Sequence, residues 1–330
     1  MKVTISDVAK LAGVSTATVS HTINSTRYVS EETKEKVYAS IKALGYTPDA
    51  SARSFRTGKK KTVGFIVPDI SNKFFATMIE EVENTLSAHG YHLIIANTKE
   101  NPQREEKNIQ LLSAGLCDGL LIASTMESFD QLDRLIPAGF PVVLVDRVFD
   151  TKKYSSICVS NFQPIYRSVC RLAAKGAKRV GIVGGLPRLS STVERISAYR
   201  QAVADCGLDS DESLIRYGDS MENSVRACLD DLLAQKCDGI VVCQGLMASE
   251  TIIDMHRRGV QLGKDIEVVG FVDYDDNFHQ LYAGQMDTIV QPVEELGRAA
   301  GEQILRRIES SDEPVFEKVL TSAYHPRDMV

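Results

Sequence analysis

The stretch Thr4-Ile-Ser-Asp-Val-Ala-Lys-Leu-Ala-Gly-Val-Ser-Thr-Ala-Thr-Val-Ser-His-Thr-Ile-Asn24 reads as two short amphipathic helices around a glycine turn. Thr4 with Asp7 at the third helical position makes a capping box, in which the two residues satisfy each other's free backbone donors. Val8, Leu11 and Ala12 form the apolar stripe of the first helix. Gly13 ends it, since glycine takes the left-handed C′ conformation without a Cβ clash. Val14 turns inward and Ser15 caps a second helix over 16–24, whose inner residues are Val19 and Ile23. Ser30, followed by Glu31 and Glu32, caps a third, with Val37, Ile41 and Leu44 inward and Gly45 closing it. This is the spacing of a helix-turn-helix module.

The second helix leaves Ala17, Ser20, His21 and Asn24 on its outer face, with Thr16 at its start. Small polar and methyl-bearing groups suit a close approach to base edges in the major groove. Thr4 and Thr18 complete this set of DNA-contact candidates, and Ser15, Tyr28, Ser30 and Thr33 are candidate phosphate contacts. Charge separates DNA from the alternative, a three-helix module that binds protein. Residues 1–61 hold eleven Lys/Arg against five Asp/Glu, a net of +6, and the remainder holds 27 against 39, a net of −12. A basic head on an acidic body indicates that only the head meets a polyanion. Pro48 ends the helical pattern. In the following stretch, Ala52, Arg53, Phe55 and Arg56 suit a minor-groove contact, the ring wedging a base step between arginines. The alternative is a linker whose Phe55 packs on the core.

From Val63 the runs VGFIVP, YHLIIANT, DGLLIAS and PVVLVD alternate with helix-length segments, and VGIVGG at 180, DGIVVCQ at 238 and EVVGFVD at 267 repeat the pattern. Short apolar strands between longer helices predict parallel βαβ units. Cys117-Asp-Gly-Leu is echoed by Cys237-Asp-Gly-Ile, and Val63-Gly-Phe-Ile by Val180-Gly-Ile-Val. The expected fold is α/β: a small all-α helix-turn-helix domain (1–47), a hinge or linker (48–61), and two tandem doubly wound parallel-sheet subdomains (62–330). The first subdomain takes 62–160 with 291–322 and the second 161–290. In such sheets ligands bind beyond the carboxyl ends of the strands, here between the subdomains.

Hydrophobic residues at 43% and charged residues at 25% are an ordinary globular balance. The seven cysteines show no metal-ligand spacing and read as free thiols of a reducing compartment. No signal peptide and no membrane-length apolar run occurs, so a cytoplasmic protein without a membrane partner is expected. The absence of a leader and the basic head weigh against a transport binding protein. Catalytic motifs are missing as well. Asp273-Tyr-Asp275-Asp-Asn277 has the start of a calcium loop, but Phe278 stands where glycine is required. Neither an enzyme activity, a metal nor a cofactor is expected.

The 4–24 segment closely resembles the head of the LacI/GalR family of bacterial regulators. Tyr46-Thr-Pro48 and Ala52-Arg-Ser-Phe-Arg-Thr-Gly58 resemble that family's hinge, and the core, through Ile289-Val-Gln-Pro292, resembles its periplasmic-binding-protein-like domain. The resemblance implies a repressor acting as a homodimer on pseudo-palindromic double-stranded operator DNA, controlled by a small-molecule effector and regulating carbohydrate or sugar-acid metabolism. No heptad segment follows the core, so a tetramer is not expected. The head departs from the family at His21, usually arginine, and at Phe55, commonly leucine.

For the effector, the resemblance carries over Phe74, Phe75, Asp146, Arg147, Asn161, Ser191 and Arg195, with Gln244 and Asp273 at positions where the motif differs. The family usually has Asn-Asp at 244–245 and aspartate at 272, where this chain has Gln244-Gly245 and Val272. With two carboxylates lost and both arginines kept, the expected effector is anionic, a sugar acid or sugar phosphate. Two alternatives stay open: Phe74 and Phe75 as core residues, and Arg195 as a surface ion-pair partner of Glu194. A divergent cleft without a small ligand is a further one.

Overall fold

The computed structural model describes residues 3–24, 27–47, 58–149, 151–218, 225–272, 284–310 and 312–327. The chain divides into two compact units, Met1–Lys60 and Lys61–Val330. The first contains α1 (Ile5–Ala12), α2 (Thr16–Asn24) and α3 (Glu31–Leu44). They close over Val8, Ala9, Val19 and Val37, with Ile5, Ala12, Ile23, Ile41 and Leu44 around them. Leu11, expected in the stripe, is 55% exposed. Ile5, Val8, Ala9 and Ala12 set the inward face at i, i+3, i+4 and i+7, and Leu11 falls more than a quarter-turn off it.

In the second unit, β1 (Thr62–Val67), β2 (His92–Asn97), β3 (Gly119–Ile122), β4 (Val142–Val145), β5 (Ser155–Ser160) and β11 (Glu317–Thr321) make one sheet, in the order β11-β5-β4-β3-β1-β2. Every pairing in it is parallel. Helices α4 (Lys73–Ala88) and α11 (Val293–Glu309) cover one face. The other is covered by α5 (Pro102–Ser113) and α6 (Phe129–Asp133). A parallel sheet buried on both faces requires near-continuous apolar strands, and β3 and β4 are buried at every residue.

The second sheet repeats the plan with β6 (Val180–Gly184), β7 (Ile215–Tyr217), β8 (Gly239–Val242), β9 (Glu267–Val272), β10 (Asp287–Val290) and β12 (Ala323–His325). Its order is β12-β10-β9-β8-β6-β7, parallel except for β12 on β10. Helices α7 (Phe162–Ala174) and α8 (Ser190–Cys206) lie on one face. Helices α9 (Val225–Ala234) and α10 (Gly245–Arg257) lie on the other. The chain passes between the sheets at Asn161, at Gln291-Pro292 and at Ser322. Two of these passages are tied together, because Ser322 Oγ donates to Asn161 Oδ1 at 2.6 Å and Ser322 N donates to Ser160 O at 3.2 Å.

Helices α4 and α11 approach closely through Gly297 and Gly301. A Cβ at Gly297 would lie 2.8 Å from the Met78 carbonyl oxygen, and one at Gly301 would lie 2.8 Å from Thr85 Cβ. A backbone oxygen cannot rotate away, so the helices must separate. Overpacking of this kind costs about 1–3 kcal/mol, while Gly→Ala returns about 1 kcal/mol of helix propensity. Gly297→Ala should therefore lose about 1 kcal/mol, and Gly297→Val more, read as lower urea midpoints at unchanged slope. An unchanged midpoint for Gly297→Val would contradict the close approach.

Candidate functional sites: a DNA-reading head and a cleft between two sheets

The head forms as its local chemistry dictates. Thr4 N and Oγ1 both donate to Asp7 Oδ2, at 2.9 and 2.7 Å, and Asp7 N donates back to Thr4 Oγ1 at 3.4 Å. Hydrogen bonds to Thr4 hold the Asp7 carboxyl below its ordinary range. Gly13 takes φ 68° and ψ 30°, turning the chain sharply into α2. Ser15 caps α2 by accepting from Thr18 N at 3.1 Å. Ser30 occupies the N-cap position of α3, but its hydroxyl pairs with Thr33 Oγ1 at 2.9 Å instead of a backbone donor. Two hydroxyls three residues apart are close enough to satisfy each other.

Buried Val19 fixes the rotation of α2. Thr16 and Ala17 are exposed, and Thr18, Ser20, His21 and Asn24 are half-buried. Asn24 Nδ2 donates to Ser20 O at 2.8 Å, which ties the last turn to the helix. Tyr28 is 93% exposed beside buried Val29. The candidates Ala52, Arg53, Phe55 and Arg56, and Asp273 of the cleft, lie outside the described residues.

In the core, Asp146, Arg147 and Arg195 come close enough to act on one another's charge at the carboxyl ends of the two sets of strands. Arg147, after β4, makes a bidentate pair with Glu100, Nη1 to Oε2 at 2.8 Å and Nη2 to Oε1 at 2.6 Å. Burial works against the Arg147 charge, but Glu100 and Asp146 outweigh it and the guanidinium pKa is raised. The expected role of Arg147 as a free partner for an anion is therefore altered, because Glu100 already fills its fork. Arg188 crosses from the second sheet to the same loop, donating to the Glu100 carbonyl at 3.3 Å. Lys99, Glu100 and Asp146 have φ of 52°, 54° and 63°. Left-handed backbone at residues other than glycine is strain that the surroundings must hold, and it clusters at ligand sites.

The Asp146 side chain is 11% exposed, and burial raises its carboxyl pKa against the attraction of Arg147 and Arg195. Arg195 on α8 faces it from the second sheet. It is no surface partner of Glu194. Its guanidinium stacks over Phe271 at 4.3 Å and donates from Nη1 to Cys243 O at 2.7 Å. Burial lowers its pKa, and Nε has no partner. Gln244, next to Cys243, is the N-cap of α10 and has an unpartnered buried Oε1. Thr98 Oγ1 after β2 and Gln291 Nε2 after β10 are also unpartnered. Each such buried group costs about 1–3 kcal/mol, so polar groups at strand ends in this state are suited to meeting a ligand.

Other candidates divide. Phe75 is buried in the first core, beneath the Arg147 guanidinium at 5.9 Å, whereas Phe74 is half-buried and meets it edge-on at 5.1 Å. Asn161 is buried and bound at both ends of its amide, donating to Val159 O at 3.2 Å and accepting from Ser322. Its side chain holds the passage between the sheets. Ser191 is half-buried in the first turn of α8, whose N-cap residue Leu189 offers no side-chain acceptor.

Two carboxylates, Glu100 and Glu105, are not among the residues expected from the sequence, and a third, Glu194, has a partner other than Arg195. Glu100 and its partner Arg147 are 47 residues apart, and no glycine marks the strained loop. Glu194 accepts from Ser160 Oγ at 2.6 Å and Asn161 N at 3.0 Å, anchoring α8 to the passage. Glu105, fully buried, accepts from Ser124 Oγ and Thr125 N, each at 2.6 Å, and fixes the loop after β3. A signal for Glu105 was its place on the inner side of α5, one turn before Ile109.

Among the described residues, no helix is long and apolar enough to cross a membrane and no cluster of three His, Cys, Asp or Glu could hold a metal. Residues 4–49 match the bacterial regulatory proteins of the lacI family, and residues 60–327 match periplasmic binding proteins and the sugar binding domain of the LacI family. The HTH-type transcriptional repressor PurR of Haemophilus influenzae is 32% identical over 316 residues, covering 94% of this chain and 93% of its own. PurR of Edwardsiella ictaluri is 32% identical, covering 98% and 94%. The transcriptional regulator CelR in complex with cellobiose has a TM-score of 0.72 at 26% identity, covering 98% of this chain and 99% of that one. The Lac repressor bound to ONPG, at 22% identity with a TM-score of 0.84, shares the fold. With head and core both matched over nearly their whole length, the chain belongs to the LacI family and is a DNA-binding transcriptional repressor with a ligand-binding core, not an enzyme.

Proposed function

We propose that this repressor is a cytoplasmic homodimer whose hold on a pseudo-palindromic operator is set by a small ligand bound between the two sheets. Residues 1–47 read the major groove through Thr16, Ala17, Ser20 and His21, and 48–61 enter the minor groove at Phe55. The two subdomains of the core divide as the sheets do. A second copy would cover the sheet edge at β2, where Ile94 and Ile95 are 36% and 46% exposed, and neighbouring Leu111 on α5, 60% exposed.

The ligand reading is carried by two unpartnered groups, Arg195 Nε and the Oε1 of Gln244, the residue after the Cys243 whose carbonyl Arg195 binds. A ligand meeting both presents an acceptor to the guanidinium and a donor to the amide. A sugar acid or sugar phosphate does so with its anionic group and a hydroxyl, and the uncapped start of α8 adds favourable donors for the anion. Phe74, Asp146, Ser191 and Asp273 complete the proposed surround, with Arg147 available only if Glu100 moves, while Phe75 and Asn161 support it from the core and from the passage between the sheets. A purine is the second reading. It is favoured by the half-exposed ring of Phe74 and by the name PurR of the relatives, and its ring carbonyl and N–H would meet the same two groups.

Calorimetry on the whole chain with matched neutral sugars, sugar acids, sugar phosphates and purines tests this. The anionic sugars should bind, and Arg195→Ala should weaken them about 10-fold or more, the scale of a lost charge-assisted hydrogen bond of about 1.5–3 kcal/mol. Purine binding that depends on Arg195 selects the second reading. Neutral-sugar binding indifferent to Arg195 contradicts both.

A further inference from the structure

The chain has seven cysteines, and two of them meet. Cys206 Sγ, at the end of α8, donates to Cys170 Sγ, in the third turn of α7, at 2.6 Å. That separation is not far from the disulfide bond length of about 2.05 Å. Both residues are half-buried, whereas Cys117, Cys228, Cys237 and Cys243 are buried. The thiols are held by two packed helices and are 36 residues apart in sequence. We infer that Cys170 and Cys206 are a dithiol modification site, closed to an intrachain disulfide by peroxide-class oxidants and reopened by thiol reductants.

Burial pushes the Cys206 thiol up to about 11, and the hydrogen bond with Cys170 adds to it. The geometry is symmetric between the two sulfurs, and the first attacker, for instance Cys170, reacts as its thiolate while its partner keeps the proton. The Cys170 thiolate sulfur bonds one oxygen of hydrogen peroxide, the O–O bond breaks, and the departing hydroxide takes a proton to become water. Cys206 then attacks the Cys170 sulfenic sulfur. The S–S bond forms, the S–O bond breaks, and the hydroxide leaves with the Cys206 proton as a second water. Two thiols lose two electrons, and peroxide is reduced to two waters.

The link has a mechanical consequence. Glu194 on α8 already grips Ser160 Oγ and Asn161 N, where α7 begins. A disulfide fastens the far ends of the same two helices. Oxidation would thus lock α7 against α8 and hold Arg195, one residue after Glu194, in place.

The test is hydrogen peroxide treatment of the full chain, alkylation, non-reducing proteolysis and mass spectrometry. The expected product is one intrachain Cys170–Cys206 crosslink lighter by two hydrogens, formed before other cysteines react and removed by dithiothreitol. Amide exchange in α7 and α8 should slow in the oxidised protein, and Cys170→Ser should abolish that slowing. The wild-type crosslink map decides the matter even if the variant folds poorly. Recovery of both residues as separate thiols or separate sulfinic acids, or a crosslink between two chains, overturns the inference.

Discussion

Val19→Asp should abolish operator binding while leaving the core's melting transition where it was. Val19 is fully buried with Val8, Ala9 and Val37 in the head's apolar cluster. A unit of some sixty residues buries too little surface to absorb an unpaired carboxylate. The substitution removes a Val side chain worth about 1.5–3 kcal/mol of burial and adds a buried charge costing several more. That exceeds the few kcal/mol a head of this size holds in reserve. The two units have separate hydrophobic clusters, so unfolding should stay in the head. Operator binding measured by fluorescence anisotropy should vanish, and calorimetric scanning should show the core transition unchanged. Retained binding would place DNA recognition elsewhere.

Glu100→Ala should destabilise the core by about 3 kcal/mol. Removing one member of a buried ion pair typically costs about 3–5 kcal/mol, because the other charge stays buried without a partner. The side chains of Arg147 and Glu100 are 9% and 16% exposed, so solvent screens the pair little. Asp146, 3.9 Å from Arg147 Nε, remains to share the charge and sets the estimate at the low end. Relief of the left-handed backbone at Lys99 and Glu100 cannot offset the loss, since alanine keeps the same Cβ. Urea unfolding reads the effect, and the double variant with Arg147→Met should recover much of it. An unchanged midpoint would show that the pair is held loosely and contributes little.

What could be read ahead of the structure followed the range of the interactions. Capping of α1 by Thr4, the turn at Gly13 and the inward face of Val19 and Ile23 depend on residues within one or two turns, and the chain displays them directly. Leu11 went astray because spacing alone does not set the rotation of an eight-residue helix. The βαβ alternation and internal repeat made both sheets legible, since buried parallel strands need unbroken apolar runs. The cleft was legible in its residue types but not in its pairings. Glu100 with Arg147, Arg195 with the Cys243 carbonyl, and Ser322 with Asn161 join positions 47, 48 and 161 residues apart. Only folding brings such groups together, and no local pattern marks them. Asn161 shows the consequence: a side chain carried over to the ligand by resemblance holds the passage between the sheets.

The most direct test of the account is selection from a pool of random DNA duplexes, run in parallel with the full chain and with residues 61–330. The full chain should enrich a two-part sequence with approximate dyad symmetry, and its affinity should fall steeply with salt as phosphate contacts release counterions. Residues 61–330 should enrich nothing. Failure of the full chain to converge on any sequence, or enrichment of the same sequence by the core alone, would contradict it.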